Sequence, residues 1–576
     1  MSPAYGGVAV TLVIVATLVI GAFGLRLSRT TSDFYVASRS VPPWWNASAI
    51  GGEYLSAASF LGVAGLVLTY GADMLWFPVG YTGGYLVLLV LVAAPLRRSG
   101  AYTLPDFAEG RLQSALVRQV ASLLVVLIGW LYLLPQFQGA GLTLRTVTGA
   151  PGWLGGLIVA AVVVANVVAG GMRSITFVQA FQYWLKLTAI AVPVVFLLLA
   201  WRGEGTPDPG ADGPPRFHEA TTVRVESDVV VRVGEPVAVT ATGTVDGQRH
   251  DAAALRLEGG EHRIGAGARL QFPAGAAVPH AERIAASTGA QWSQPLSGAG
   301  GREHPLYATY SLVLALFFGT MGLPHVLVRF YTNPDGRAAR RTTLVVLGLL
   351  GVFYLFPVGY GALGRLYAPD LLVTGRTDAV VLLLPARMLG GLGGDLLSAL
   401  VTAGAFAAFL STSSGLAVSV AGVLAQGLIS RRPAGVQRFW AATLVAVAVP
   451  FGLAILATSL AVADAVGLAF AVAASSFCPL LVLGIWWRGL TDVGAVAGLV
   501  TGGGLAATAV FLTVLTGGGK GWPGALLATP AAWSVPVAFA VMVGASLASR
   551  ARVPAGVDRT MVRLHAPEAL GLDRTP

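Results

Sequence analysis

The sequence has a single cysteine, few charged residues and no nucleotide-binding loop, and each absence excludes a class of protein. Cys478 alone cannot form an intrachain disulfide or a metal site built from several cysteines. Only 11% of the residues are charged, whereas soluble domains average about 25%. No Walker A sequence is present, which argues against an ATP-driven pump. Because no nucleophile–base pair or metal-ligand spacing is present either, we expect neither an enzyme nor a bound cofactor.

Apolar runs of membrane-spanning length recur along the whole chain, which has 576 residues, 55% of them hydrophobic. This pattern predicts an all-α polytopic protein embedded in a lipid bilayer, with about thirteen transmembrane helices. The predicted spans are residues 6–26, 46–70, 73–95, 119–143, 152–171, 178–201, 307–328, 343–364, 393–427, 438–459, 463–486, 493–515 and 530–549.

Basic residues are concentrated in alternate loops, as the positive-inside rule requires for one orientation of the chain. This orientation places the N-terminus outside the plasma membrane and the C-terminal tail in the cytoplasm. The arginines predicted to lie inside are Arg26, Arg29, Arg39, Arg97, Arg98, Arg111, Arg118, Arg173, Arg329, Arg337, Arg340, Arg341, Arg431, Arg432, Arg438, Arg550, Arg552, Arg559 and Arg563. The loop bias accounts for the net charge of +10 without a nucleic-acid partner, and no obligate protein partner is evident.

Residues 203–305 are polar and differ from the rest of the chain, and the same orientation places them outside the cell. Several prolines between Pro207 and Pro215 indicate a linker. Residues 221–226 then alternate in polarity as a β-strand does, and turns are predicted at Gly234–Pro236 and Asp246-Gly247. We interpret this segment as a β-rich insertion that serves as a solvated lid or spacer. A solute-capturing or partner-binding module is the alternative.

Two predicted spans contain residues that interrupt a helix. The first runs Gly51-Gly52-Glu53-Tyr54-Leu55-Ser56, and the second runs Gly319-Thr320-Met321-Gly322-Leu323-Pro324-His325. They lie five spans apart and run in opposite directions, which is typical of transporters built from inverted repeats. Irregular backbone at membrane depth is tolerated only where protein or a water-filled cavity covers it. Kinked helices that serve packing alone are the alternative.

The residues at these interruptions are candidates for coupling or gating. An ionisable residue at membrane depth is a functional candidate by default, which applies to Glu53. Its carboxyl group is predicted to be buried and protonated, a proton-coupling group, or an anchor for the broken helix. In the second interruption the candidates are Gly319, Gly322, Pro324 and His325. His325 is expected to cap or orient its helix, and an electrostatic role toward the solute is the alternative.

Six stretches of the chain match one known family in order. They are Thr31–Ala37, Gly52–Gly62, Leu131-Tyr132 with Gln136 and Gly139–Gly141, Gly319–Phe330, Ala407–Ser414 and Gly467–Ser475. On these residues the chain resembles the sodium:solute symporter family, and within it the cation/acetate (monocarboxylate) branch. The resemblance implies a leucine-transporter-like 5+5 inverted-repeat core with additional helices. Two features depart from that branch: Glu53 replaces an expected aspartate, and the insertion is much larger.

The predicted domain organisation combines this resemblance with the predicted spans. Residues 1–45 form an N-terminal extra helix and a cytoplasmic loop, and residues 46–201 form the first five-helix repeat. Residues 202–306 are the extracellular β-rich insertion, and residues 307–486 form the second five-helix repeat. Two C-terminal helices at 487–550 and a cytoplasmic tail at 551–576 complete the chain.

Adjacent hydroxyl groups in the ninth span suggest a site for a coupling Na⁺ ion, because hard cations prefer oxygen ligands. The resemblance implies that the ligands are the backbone carbonyls of Gly52, Leu55 and Ala408 with the hydroxyls of Ser411 and Thr412. Hydroxyls in membrane helices also bond to the preceding turn or join neighbouring helices, which is the alternative.

The solute is expected to bind near the middle of the bilayer, between the two interrupted helices. The candidate contacts are Ser56, Ser59, Gln136, Thr320 and Ser475. Hydroxyls, an amide and helix-terminal N–H groups can hold a small organic anion without an arginine. Lys186 lies within the sixth span and is expected to extend its ammonium to the cytoplasmic face. A contact between Lys186 and the solute is the alternative.

These predictions combine into a cation-coupled secondary active symporter, with Na⁺ as the expected coupling ion. It is expected to import acetate, propionate or pyruvate by alternating access. The alternatives are another small solute such as proline, H⁺-coupled transport, or a transporter-like receptor in which residues 203–305 sense a solute.

Overall fold

The computed structural model describes residues 3–25, 40–211, 213–282, 284–285, 287–297, 304–426, 436–456, 462–516, 519 and 521–570. Four predicted features lie outside these residues. They are the loop with Arg26, Arg29 and Arg39, the stretch Thr31–Ala37, the arginines Arg431 and Arg432, and the last six residues of the tail.

Eight helical segments precede the insertion. Their bounds are Pro3–Leu25 (α1), Pro43–Tyr54 (α2), Val63–Tyr70 (α3), Trp76–Leu91 (α4), Ala93–Arg98 (α5), Leu104–Leu112 (α6), Ala115–Thr148 (α7) and Gly152–Gly203 (α8). A π-helical turn at Ala58–Gly62 leads into α3, and a 3₁₀ turn at Gly71–Leu75 follows it. The range α8 contains two helices that meet at Gly171, whose φ of 55° is readily adopted only by glycine.

Fourteen further helices follow α8 in the described part of the chain. Their bounds are Gly289–Ser293 (α9), Pro305–Thr320 (α10), Pro324–Val328 (α11), Gly336–Tyr367 (α12), Asp370–Thr374 (α13), Val380–Leu389 (α14), Gly391–Gln426 (α15), Val436–Leu456 (α16), Val462–Trp486 (α17), Asp492–Gly498 (α18), Gly504–Thr516 (α19), Gly521–Ala528 (α20), Ala531–Ala548 (α21) and Val557–His565 (α22). A π-helical turn at Leu499–Gly503 joins α18 to α19.

Local sequence accounts for several helix ends. Helix α6 begins with a capping box, in which the Thr103 hydroxyl accepts from the Asp106 amide at 3.3 Å and the Asp106 carboxylate accepts from the Thr103 amide at 3.0 Å. Helix α12 begins after Asp335, whose carboxylate accepts from the Ala338 amide at 2.7 Å. Helices α10 and α11 both begin with a proline at the first position, where its missing N–H costs no hydrogen bond.

The structure confirms an all-α membrane protein but does not confirm thirteen spans. Within the described ranges, eleven helices are long and apolar enough to cross a membrane. Two differences account for the lower number. The helical stretch Ala58–Leu91 counts as one although it covers most of the predicted spans 46–70 and 73–95. Within it, α3 ends at Gly71, whose φ of 66° is not helical, and α4 begins at Trp76. The apolar helix Gly152–Val168 is shorter than the other spans.

The insertion contains a seven-stranded antiparallel sheet, which confirms its predicted β-rich character. Its strands are Thr221–Arg224 (β1), Val229–Val233 (β2), Val237–Val245 (β3), Gln248–Leu257 (β4), Gly260–Ile264 (β5), Arg269–Phe272 (β6) and His280–Ala281 (β7). The strand order is β1-β6-β3-β5-β2-β7, and β4 pairs with β3. Val237, Val239 and Ala241 are buried while their neighbours are exposed, as a sheet with one covered face requires.

The insertion is docked against the helical part at several points. The indole N–H of Trp292 donates to the Val67 carbonyl at 2.8 Å, and the Arg365 guanidinium lies 5.1 Å from the Trp292 ring centre. Glu226 forms ion pairs with Arg145 at 2.9 Å and with Arg376 at 2.7 Å. These contacts hold the insertion at one end of the helical part. The extracellular location of this end stays a prediction.

The docked insertion is expected to lose stability in acid because of His280 in β7. Burial, together with the nearby Arg365 guanidinium, lowers the pKa of His280 to about 4. The unfolded chain binds a proton near pH 6.5 and the folded insertion does not, so stability is retained above pH 6.5 and falls as the pH drops toward 4. The check is the proteolysis rate of the insertion between pH 7 and pH 4. His280→Gln should flatten this pH dependence, whereas His218→Gln, at an exposed position, should leave it unchanged.

Candidate functional site

The first interruption lies between α2 and the π-helical turn, where the chain unwinds at Leu55 and Ser56. The amide side chain of Gln136 supports this break, because its Oε1 accepts from the Ala57 N–H at 3.1 Å. Its Nε2 donates to the Tyr132 carbonyl at 3.4 Å, and the Ser56 hydroxyl accepts from the Ala58 N–H at 3.2 Å. Gln136 and Ser56 are predicted solute contacts, and both bond the interrupted backbone here.

The second interruption separates α10 from α11 at Met321, Gly322 and Leu323. Glycine is required here by close packing against α17. A Cβ atom on Gly319 would lie 2.6 Å from the Phe470 carbonyl oxygen, and one on Gly322 would lie 2.5 Å from the Ala473 carbonyl oxygen. Pro324 then begins α11. Both predicted helix interruptions are therefore confirmed.

Lys186 lies at the first interruption, and the prediction that it reaches the cytoplasmic face is wrong. The side chain is fully buried. Its ammonium donates to the Gly52 carbonyl, to the Leu55 carbonyl at 2.7 Å and to the Ser411 hydroxyl at 2.9 Å. The interrupted helix exposes these carbonyls because the residues that would bond them in a continuous helix are displaced. Long-range packing of α8 against α2 and α15 therefore determines where Lys186 points.

All five predicted sodium ligands lie at this junction of α2 and α15. The Ser411 hydroxyl donates to the Ala408 carbonyl at 3.1 Å, and the Thr412 hydroxyl donates to the Glu53 carbonyl at 2.6 Å. Three of the five ligand groups, however, are already bound to the Lys186 ammonium. In this arrangement the oxygen atoms do not fit a Na⁺ ion, because a covalently held cation lies among them.

Glu53 forms a buried ion pair with Arg329, which sequence analysis wrongly placed in a cytoplasmic loop. Both side chains are 1% exposed, and the Arg329 Nε lies 2.7 Å from the Glu53 Oε2. The guanidinium also donates to the Thr176 hydroxyl at 2.8 Å and to the Gln179 amide oxygen. A charge-assisted pair of this geometry fits an ionised carboxylate better than the protonated one considered from the sequence. Glu53 thus joins α2 to the segment that follows α11.

Gln179 links this ion pair to the junction that holds Lys186. Its Nε2 donates to the Ser411 carbonyl at 2.8 Å, while its Oε1 accepts from Arg329. One carboxylate and two cationic side chains therefore belong to a single hydrogen-bonded network. Sequence reasoning missed Arg329 because the positive-inside rule explains an arginine at a span end. The sequence did contain one indication that Arg329 is buried. It follows His325 by one helical turn, within the stretch Gly319–Phe330 that resembles the family.

A second cluster, of aromatic rings, lies between the two interrupted helices. Its members are Tyr54, Tyr81, Tyr85, Tyr132, Tyr354 and Phe470, all buried. Ring centres are separated by 4.8 Å for Tyr54 and Tyr85 and by 5.2 Å for Tyr81 and Phe470. Two predicted solute contacts belong here: the Ser59 hydroxyl lies 2.8 Å from the Tyr354 hydroxyl, and the Thr320 hydroxyl lies 2.8 Å from that of Tyr54.

Two buried side chains of this aromatic cluster, and one beside it, have polar atoms without a hydrogen-bond partner among the residues that the structure describes. They are the hydroxyls of Tyr81 and Tyr85 and both ring nitrogens of His325. His325 lies edge-on to Tyr132 with ring centres 5.3 Å apart. Leaving a buried polar group unpaired is costly, so such groups call for an explanation. A bound solute with hydrogen-bond acceptors provides one.

Ser475 is not brought into the aromatic cluster. Its hydroxyl donates to the Ala471 carbonyl at 2.8 Å and lies 2.6 Å from the Ser534 hydroxyl in α21. Sequence reasoning also missed Tyr81 and Tyr85. The available signal was their spacing of four residues, which puts both side chains on one face of α4.

Comparison with known families is consistent with this architecture. The model of the sodium:solute symporter family matches residues 34–205 and 280–502. These two ranges leave out β1 to β6, so nearly all of the sheet lies outside the part that the family model describes.

Individual relatives match most of the chain. A symporter of Bacillus subtilis (strain 168) called YwcA is 32% identical over 497 residues, covering 84% of this chain and 82% of the relative. A protein of Corynebacterium glutamicum named monocarboxylic acid transporter is 30% identical over 554 residues, covering 92% and 88% respectively. A solved Na⁺-coupled sialic acid symporter, in a substrate-bound outward-open state, superposes with a TM-score of 0.59 at 14% identity, covering 94% of this chain and 98% of that one. The predicted leucine-transporter-like fold is thereby confirmed.

Proposed function

This chain belongs to the sodium:solute symporter family, and on that basis we propose that it imports a small monocarboxylate together with a cation. It is a membrane transporter and not an enzyme. Acetate, propionate and pyruvate are the proposed solutes, and the plasma membrane is the proposed location. The name of the Corynebacterium relative supports the same solute class.

The observation that carries this proposal is the set of unpaired polar groups in the aromatic cluster. The hydroxyls of Tyr81 and Tyr85 are fully buried and have no partner among the described residues. A carboxylate offers only acceptors and can bind both hydroxyls at once. The surrounding rings of Tyr54 and Phe470 suit a methyl or other short apolar group. These features support a small monocarboxylate over a larger or multiply charged solute.

Alternating access requires the two interrupted helices to move relative to the rest of the protein, since the aromatic cluster lies between them. Tyr54 and Thr320 belong to different interrupted helices, and their hydroxyls are bonded at 2.8 Å. A solute that binds beside this contact connects both helices. We propose that it stabilises the closed arrangement until one side opens.

Uptake into proteoliposomes tests the proposal directly. We expect purified protein to accumulate labelled acetate and pyruvate when an inward Na⁺ gradient or an inward proton gradient is imposed, and not when neither is present. Tyr85→Phe removes one donor to the carboxylate and should raise KM by about 10-fold or more, because hydrogen bonds to charged groups contribute about 1.5–3 kcal/mol.

Tyr310→Phe is the matched control for this substitution. Tyr310 lies in α10, near its first turn, and is 65% exposed, whereas the aromatic cluster is buried. Its KM should equal that of the wild type. Uptake of proline but neither monocarboxylate would favour the alternative solute class. Binding of a solute without any transport would favour a receptor and contradict the proposal.

A further inference from the structure

We infer that the ammonium of Lys186 is the resident cation at the junction of α2 and α15, and that transport therefore requires no Na⁺ at this position. The inference rests on the proposed symport function and concerns only the cation at this one place. The oxygen atoms were assigned to Na⁺ by the family resemblance, and the described structure gives three of them to a side chain of the protein itself.

The hydrogen bonds of the ammonium are complete. A lysine ammonium has three N–H donors and no acceptor. The Gly52 carbonyl, the Leu55 carbonyl and the Ser411 hydroxyl supply three acceptors. A buried ammonium is costly unless it is fully hydrogen-bonded and electrostatically compensated. The match of three donors to three acceptors indicates a site built around this side chain.

A Na⁺ ion and the Lys186 ammonium exclude each other at this junction. Both require the Gly52 and Leu55 carbonyls and the Ser411 hydroxyl, so a Na⁺ bound to these oxygens would lie directly beside the ammonium nitrogen. Two positive charges sharing these oxygens in a site without bulk water would also repel each other strongly. The side chain therefore replaces the ion.

The charge balance of the surrounding network supports the same conclusion. Glu53 is the carboxylate nearest to the junction, and it is already paired with Arg329. Helix α15 contributes the uncharged Ser411 and Thr412, and α1 contributes Thr17, whose hydroxyl accepts from Gln182 of α8 at 3.1 Å. With Lys186 charged, the network carries one excess positive charge, and an added Na⁺ would increase it to two.

The lysine also performs the structural task expected of a bound ion. It connects α8 to the interrupted segment after α2 and to α15, which are distant in sequence. An ion would make this connection only when bound, whereas the side chain makes it without a ligand. The geometry of the first interruption is therefore expected to be independent of the Na⁺ concentration.

Thermal unfolding of the purified protein in NaCl or KCl at equal ionic strength tests the inference without any solute. The wild type should unfold at the same temperature in both salts. Lys186→Ala and Lys186→Met free the three oxygens, and at least one of them should be stabilised by NaCl over KCl by about 3 °C or more. Adding Ser411→Ala to that variant should remove the difference.

Gln182→Ala is the matched control, because Gln182 is equally buried and lies one helical turn before Lys186. It should behave as the wild type does. The inference is overturned if NaCl stabilises the wild type as much as the lysine variants. It is equally overturned if both lysine variants fold and neither responds to Na⁺, since the oxygens would then form no cation site.

Uptake measured at equal membrane potential and pH gradient provides the second readout. Wild-type initial rates with Na⁺ and with choline should agree within about two-fold. A ten-fold loss without Na⁺ that disappears in Ser411→Ala would overturn the inference, because the ion would then depend on an oxygen of this junction. If no monocarboxylate is taken up under any gradient, the proposed function fails, but the thermal experiment still decides which cation belongs at this junction.

Discussion

Replacing Arg329 with methionine is expected to lower the free energy of unfolding by about 3–5 kcal/mol and to abolish solute uptake. The pair with Glu53 is 1% exposed on both sides, so no water can compensate the carboxylate once the guanidinium is removed. The Thr176 hydroxyl and the Gln179 amide would also lose a partner. The measurement is thermal unfolding of purified protein in detergent, followed by uptake in proteoliposomes.

The double variant Glu53→Gln/Arg329→Met distinguishes two contributions to the free energy of unfolding: the cost of a buried unpaired charge and the loss of the ion pair itself. Replacing both partners of a buried ion pair is often far less costly than removing one. We therefore expect the double variant to be more stable than Arg329→Met. Arg337→Met, at an exposed position in α12, is the control and should change little. An Arg329→Met protein with the stability of the wild type would contradict the assigned ion pair.

Substituting Gly52 with alanine is expected to reduce uptake by about 100-fold or more. A Cβ atom at this position would lie 2.1 Å from the backbone carbonyl oxygen of Gln179, far closer than any real contact. A backbone atom within a packed helix cannot rotate away as a side chain can, so α2 and α8 must separate. That displacement would also move the Gly52 carbonyl away from Lys186.

Gly422→Ala is the matched control for this change. Gly422 is a buried glycine inside α15, and apart from its own turn of helix a Cβ atom there would have no described atom within 4 Å. The substitution should preserve uptake and slightly favour the helix. Expression, thermal unfolding and the initial rate of uptake are compared for the two variants. Normal uptake by a folded Gly52→Ala protein would show that the close approach of α2 and α8 is dispensable.

The features that could be predicted from the sequence are those specified by neighbouring residues. Two glycines close together with a charged residue or a proline weaken a helix locally, so the breaks near Gly52 and Gly322 were visible without tertiary information. The strands of the insertion were visible because alternation with period two is also local. Residue hydropathy alone, however, does not show that the helix ends after Tyr54, so it did not predict the number of continuous spans.

The direction of a buried side chain could not be predicted in the same way. Lys186 and Arg329 each fit a simple rule for basic residues near membranes, and the carbonyl and carboxylate partners that keep them buried are more than 100 positions away. Gln136 has an amide group that could bind a solute, but its side-chain oxygen accepts from the Ala57 N–H at the first interruption instead. Tyr81 and Tyr354 stack with ring centres 5.8 Å apart although no sequence pattern connects them.

The docked insertion joins the two predicted repeats at one end of the protein. Glu226 binds Arg145 in residues 46–201 and Arg376 in residues 307–486, and Trp292 contacts Val67 and Arg365 from the same two ranges. Any motion that separates the repeats at this end must stretch or break these contacts. The Glu226 pairs are partly exposed, so dissolved salt weakens them. The free energy needed to separate the repeats at this end therefore depends on the ionic strength on this side of the membrane.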